Sequence, residues 1–212
     1  MRHAKSSWRT NDPDVRRPLS ARGTRDGVVA GQYLDLVQQS RGAHQLEDAL
    51  TVARYKTAGY TIERPLHFGA ALADADVELV GSYRRYGQAL GLAFQLRDDL
   101  IGAFGDPSVT GKPAGDDLRS GKATALIACA LEKADDAARQ VILSALGDAS
   151  LDEVGLARVR DTLVEVGAVA RIESLITTLA GEASEAIADA PVAESARPIL
   201  QRLVSAATQR EL

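Results

Sequence analysis

With 212 residues, a formal charge of −4 and 45% apolar residues, the chain is long enough for a sizeable core and too apolar for disorder. Acidic and basic residues are mixed along it, without the basic stripe that counterion release on nucleic acid requires, so no nucleic-acid partner is expected. Cys129 is the sole cysteine, so no internal disulfide is possible; the apolar stretches are broken by charges well short of a membrane span, and the N-terminus lacks an apolar signal core, so a cytoplasmic protein with no membrane span is expected.

Alanine and leucine dominate, both strong helix formers, while aromatics make up only 4%; an all-α fold is expected. Residues 1–27 differ from the rest: they carry Pro13, Pro18, several arginines and the single tryptophan, Trp8, with no helical period. Residues 28–40 read as a helix with Val28, Leu34 and Val37 near one face. A long helical pattern starts near Leu46, and Pro65 is expected to kink or divide it. Another helix runs from about Asp76 to Phe104, and residues 105–122, rich in glycine and proline, read as a loop. Helix resumes over residues 123–134. Ser150 and Glu153 have the spacing of a capping box, opening a helix that ends near Gly167, and Cys129 reads as a small buried hydrophobe. Two last helices fit residues 168–189 and 192–209, separated by Pro191.

The chemistry concentrates in the helix that ends LGLAFQLRDDLIGAFGD. Gln95, Asp98 and Asp99 stand at i, i+3 and i+4 and project from one face, among Leu90, Leu92, Phe94, Leu96, Leu100 and Ile101. Two adjacent carboxylates in apolar surroundings require a compensating cation. Arg97 is available, but one arginine does not easily face both acids. A hard divalent ion, above all Mg2+, takes carboxylate oxygens together with waters and substrate phosphates. The following loop brings Lys112, Arg119 and Lys122 among Gly105, Gly111, Gly115 and Gly121, where a closely folded backbone and point charges suit phosphate. Upstream, Lys56 and Thr57 lie together in a helix otherwise patterned for burial. Taken singly, an Asp pair is usually not a metal site, loop lysines are usually solvated, and Lys56 alone reads as snorkelling. Taken together, they point to magnesium-bridged diphosphate binding.

The segment FQLRDDLIGAFGDPSVTGKPAGDDLRSGKATAL resembles the second aspartate-rich region of trans-isoprenyl diphosphate synthases, the polyprenyl synthetase family, and in detail geranylgeranyl and farnesyl diphosphate synthases of actinobacterial type. AGQYLDL, residues 30–36, is similar to that family's Gly-Gln-x-x-Asp helix, and ARYKTAGYTIERPLHFGAAL, residues 53–72, to its Lys-Thr helix. The three matches occur in family order. The resemblance implies an all-α, partial isoprenoid synthase bundle over residues 28–212 and a prenyltransferase that joins an allylic diphosphate to isopentenyl diphosphate. It implies Mg2+ on Asp98 and Asp99, contacts from Lys56, Lys112 and Lys122 to diphosphate oxygens, and stabilisation of an allylic carbocation by Thr57 and Gln95. Gln32 and Asp35 would line the cavity or support the Lys-Thr helix. It also implies isoprenyl diphosphate substrates and a homodimer or pairing with a complete synthase. The third aspartate that often follows the pair is Gly102 here, with Asp106 or Asp116 nearby. The family's first aspartate-rich motif has no counterpart before residue 28, so condensation by this chain is expected to be impaired; a non-catalytic helical partner of an intact synthase, or a remnant without function, is the alternative. Within residues 1–27, RHAKSSW and DVRRPLSARG resemble the N-terminus of a SixA-type phosphohistidine phosphatase, too short a fragment to form that core.

Overall fold

Periodic alanine- and leucine-rich segments fold as helices throughout: the computed structural model describes residues 29–37, 45–111 and 113–210, and no strand occurs among them. Residues 29–37 form α1, the described part of the helix expected over residues 28–40. Next, α2 (Leu46–Ala53) runs directly into a π-helical stretch, Arg54–Glu63, and then into α3 (Arg64–Leu72). Pro65 marks a division of this path, as expected: the π-helical stretch ends at Glu63 and α3 begins at Arg64. It falls in the first turn of α3, where a missing N–H costs least, and the departure from regular α geometry is the wide stretch ahead of it.

The long helix α4 (Val77–Phe104) starts at Asp76, whose side chain accepts from the Leu79 amide at 2.8 Å. Residues 105–122 are not wholly irregular, as their glycines and prolines suggested. They fold as two single turns, α5 (Pro107–Thr110) and α6 (Asp116–Arg119), with Gly111, Gly115 and Gly121 in the left-handed region at φ 68, 68 and 71°. Thr124 caps α7 (Ala125–Lys133), and Asp135 caps α8 (Asp136–Ala145), a helix that the sequence pattern left unassigned.

The capping box expected from Ser150 and Glu153 does not form. Ser150 turns its hydroxyl to Asp148 Oδ1 at 2.6 Å, and Asp152 caps α9 (Glu153–Glu165) by accepting from the Gly155 amide at 2.8 Å. Then come α10 (Ala168–Ala188) and α11 (Arg197–Thr208). The last helix begins five residues later than its apolar pattern suggested. Pro198 thereby lies in its first turn; a helix from residue 192 would place that proline in the interior and lose a backbone bond.

Two cores share α4 and α10. The larger holds Leu96 and Leu100 of α4, Leu126 and Ile127 of α7, Leu156 and Leu163 of α9, and Ile172 of α10. The smaller gathers Tyr86 and Leu90 of α4 with Ile187 of α10 and Leu200 and Val204 of α11. Residues 125–131 of α7 are all buried, so that helix is apolar on every side, as an inner helix must be. Cys129 lies among them at 1% exposure, a small core hydrophobe as expected.

The face of α4 toward the π-helical stretch is unusually flat. A Cβ on Gly91 would lie 2.4 Å from Ala58 Cα, and one on Gly87 2.7 Å from Glu63 Cα. Only hydrogen at these two positions lets the stretch lie directly on the α4 backbone. Steps of four residues continue that face to Gln95 and Asp99.

Candidate functional site

The close approach at Gly87 and Gly91 sets the position of Thr57. Its Oγ1 donates to Gln95 Oε1 at 2.6 Å, and Gln95 Nε2 donates to Asp99 Oδ1 at 2.8 Å. The second carboxylate oxygen, Oδ2, accepts from the Ala125 amide at 3.3 Å, one of the N–H groups that the first turn of α7 leaves without a helical partner. A continuous relay therefore joins the π-helical stretch, α4 and α7. It unites three of the expected residues: Thr57, Gln95 and Asp99.

Asp99 is 7% exposed. Burial pushes its carboxyl up to about 7; the Gln95 hydrogen bond opposes this, the Asp117 charge adds to it, the Ala125 amide opposes it again and the Asp98 charge adds a little more. Asp98 is partly exposed, with Arg210 Nη1 at 3.6 Å from its Oδ1; the same guanidinium lies 5.4 Å from the centre of the Phe94 ring. Arg97, available in sequence as a partial counter-charge, turns elsewhere. It makes two bonds of 2.7 Å to Glu173 and a third of 2.8 Å to the Thr208 carbonyl, fastening α4 to α10 and α11.

Lys56 pairs with Asp35 of α1, its Nζ 2.6 Å from Oδ2. A Cβ on Gly31 would lie 2.6 Å from the Lys56 amide nitrogen, so α1 rests on the π-helical stretch as closely as α4 does. Asp35 thus supports the Lys-Thr segment directly, whereas Gln32 is exposed. On the other side, Lys122 Nζ pairs with Asp117 Oδ1. Burial works against the Lys122 charge, but the bond to Asp117 and the charges of Asp117, Asp116 and Asp98 outweigh it and hold the ammonium above its ordinary value. Arg119 faces away from this cluster, onto the Ala114 and Leu151 carbonyls and Glu153, where it ties α6 to α9. Lys112 lies outside the described residues.

Among the described residues no group of three or more His, Cys, Asp or Glu side chains is drawn together around a metal position. The donor chemistry of Asp98 and Asp99 nevertheless fits Mg2+, which takes one or two carboxylates and completes its shell with water and phosphate. Asp99 in particular is a buried carboxyl satisfied by hydrogen bonds, with no ion pair among the described residues, and a cation beside it would restore its ionised form. Two residues of this region had no signal in the sequence pattern that singled them out. Asp117 stands in the loop that the sequence reads for its lysines and arginine, and Arg210 reaches Asp98 only through the packing of α11 on α4.

The bundle and its inward polar relay define an all-α protein with ionisable groups gathered at the end of one long helix. The sequence profile of the Polyprenyl synthetase family matches residues 19–162, and the chain belongs to that family. It is 36% identical over 147 residues to a geranylfarnesyl diphosphate synthase of Aeropyrum pernix, covering 69% of this chain and 45% of that protein. It is 41% identical over 114 residues to a geranylgeranyl diphosphate synthase of Mycobacterium tuberculosis, covering 54% of this chain and 32% of that one. The crystal structure of geranylgeranyl pyrophosphate synthase from Corynebacterium glutamicum, complexed with isoprenyl diphosphate and magnesium, superposes with a TM-score of 0.86 at 39% identity, over 90% of this chain and 54% of that chain. The chain thus spans about half the length of these relatives or less. The phosphatase resemblance lies in residues 1–27, outside the described residues, where the family match already begins at residue 19. No helix among the described residues is long and apolar enough to cross a membrane.

Proposed function

We propose that the protein binds an isoprenyl diphosphate with Mg2+ and contributes the second aspartate-rich wall of a site for condensation with isopentenyl diphosphate. The observation that carries this reading is the Thr57–Gln95–Asp99 relay, flanked by Lys56 on one side and Lys122 on the other. Lys56, Lys112 and Lys122 contact diphosphate oxygens as charge-assisted donors. Asp98 and Asp99 hold the metal, which when bound neutralises charge on the departing diphosphate. Thr57 and Gln95 turn oxygen dipoles toward the allylic cation left behind, and their mutual hydrogen bond fixes those dipoles in advance, so no reorganisation is needed when charge develops. The isopentenyl double bond attacks that cation and a proton is lost.

Calorimetric titration of the full chain with farnesyl diphosphate tests the reading. Binding that requires Mg2+ and weakens at least about tenfold in Asp98→Asn/Asp99→Asn and in Lys56→Gln supports it, since each removes a charged contact. Binding indifferent to Mg2+ and to these substitutions refutes it.

One observation favours a second reading, a helical partner of a complete synthase. Tyr33 and Leu36 of α1, Tyr55 and Tyr60 of the π-helical stretch, and Leu72 of α3 are all more than half exposed, an apolar display that usually marks an interface. Labelled isopentenyl diphosphate incorporated by the chain alone favours the enzyme; a changed rate or product length only after mixing with an intact synthase favours the partner.

A further inference from the structure

Gly102 stands one turn beyond Asp98 and Asp99 on α4, and the space where its side chain would lie is taken. A Cβ there would sit 2.0 Å from Asp117 Oδ2 and 2.5 Å from Asp117 Cγ. The Asp117 carboxylate therefore rests on the bare helix backbone, its side chain only 12% exposed, with Oδ2 against Gly102 and Oδ1 on the Lys122 ammonium. The turn that carries both residues is tied at each step. The Lys122 amide donates to the Asp117 carbonyl at 3.0 Å, the Gly121 amide to the Leu118 carbonyl at 3.1 Å, and the Gly147 amide to the same Leu118 carbonyl at 2.8 Å. What the backbone leaves loose is the long lysine stem, with four rotatable bonds and a side chain 45% exposed. An ammonium carries three donors, and the bond to Asp117 takes one of them, so two remain for an incoming anion.

We propose that Asp117 is a positioning residue, seated on Gly102, that holds the Lys122 ammonium in place for diphosphate oxygens. The carboxylate does not touch substrate; it removes the rotational freedom that a lone lysine would lose on binding. The inference rests on the reading that Lys122 contacts diphosphate, and it explains why residue 102 of the acidic helix carries no side chain.

Inorganic pyrophosphate with Mg2+, titrated calorimetrically into the full chain, tests it alongside thermal melts. Asp117→Ala is expected to raise Kd roughly three- to tenfold, the cost of ordering one flexible side chain on binding. Gly102→Ala displaces the carboxylate and is expected to raise Kd as much while lowering the melting temperature. The pair Gly102→Ala/Asp117→Ala fills the emptied seat with a methyl group, so the melting temperature recovers while the affinity does not. Lys122→Gln is expected to weaken binding, and Asp117→Ala added to it changes nothing further, the mark of two residues acting as one unit. If Lys122→Gln weakens binding and Asp117→Ala does not, the positioning role is wrong and the diphosphate reading stands. If Lys122→Gln binds like the unaltered chain, both fall.

Discussion

His67 is nearly buried and shows how a single such group makes stability depend on pH. Its side chain is 10% exposed, its Nδ1 lies 3.9 Å from Glu63 Oε1, Arg84 Nε lies 3.9 Å from that same oxygen, and its Nε2 has no hydrogen-bond partner. Burial lowers its pKa below the ordinary 6.5; the Glu63 charge resists, Arg64 and Arg84 push further down, and a hydrogen bond with the Val80 backbone resists in turn. A base whose folded pKa is depressed is protonated first in the unfolded chain. Stability is therefore complete above about pH 6.5 and is lost as the pH falls below it. Urea denaturation at pH 7 and pH 5 should show this loss, and His67→Gln should flatten it; an equal slope in both proteins would assign the effect to other groups. Glu63 and His67 are separated by one helical turn in the sequence, but nothing in their spacing announces that Arg84, from another helix, completes the cluster. The candidate site was legible to the same extent. Gln95, Asp98 and Asp99 share a face by helical spacing alone, and Lys56 and Thr57 stand out as polar residues in an apolar pattern. Asp117 and Arg210 become visible only when a turn folds back on α4 and α11 lies alongside it.

At the scale of elements, the contact between α4 and the π-helical stretch is backbone on backbone and leaves no room for a side chain at Gly87 or Gly91. Gly91→Ala would drive a methyl group into the Ala58 backbone, which cannot move aside as a flexible side chain would. A cost of about 1–3 kcal/mol is expected from overpacking, read as a fall in the urea midpoint. Gly69→Ala, in the exposed interior of α3 where the new methyl group meets nothing within 4 Å, should instead stabilise by about 0.5–1 kcal/mol. Similar effects from the two substitutions would mean that backbone entropy, not close packing, governs both. Apolar periodicity located most of these elements because it reports which face is buried. It did not locate the π-helical stretch, whose ten residues bury only Ala58 and Glu63 and leave Tyr55 and Tyr60 exposed, so the wider backbone ladder has no apolar face of its own to announce it. Nor did it identify Asp152 as the cap of α9: Ser150 had the right partner at the right spacing, and only the turn made by Asp148 decides between them.

The whole molecule depends on α4 and α10 passing through both cores. Leu96 and Leu100 of α4 serve the larger core and Tyr86 and Leu90 the smaller, while α10 gives Ile172 to one and Ile187 to the other. Two helices that span both cores make independent melting of either one unfavourable. Leu126→Ala in the larger core and Leu200→Ala in the smaller should each cost about 2–5 kcal/mol and shift one and the same transition. Far-UV dichroism and calorimetry check this; two separated transitions in either variant would show that the cores unfold apart. The all-α class was plain from composition, because scarce β-branched and aromatic runs leave little to build a sheet. The division into two cores was not, since alternating alanine and leucine look the same whichever core receives them.

Cys129 sits at 1% exposure in the inner helix, and burial raises its thiol pKa further from the reactive range. A thiol-reactive dye can reach it only when that region comes apart, so its labelling rate counts opening events without any mutation. An extra cysteine introduced at the surface could be tagged selectively, leaving the native one silent until the fold gives way.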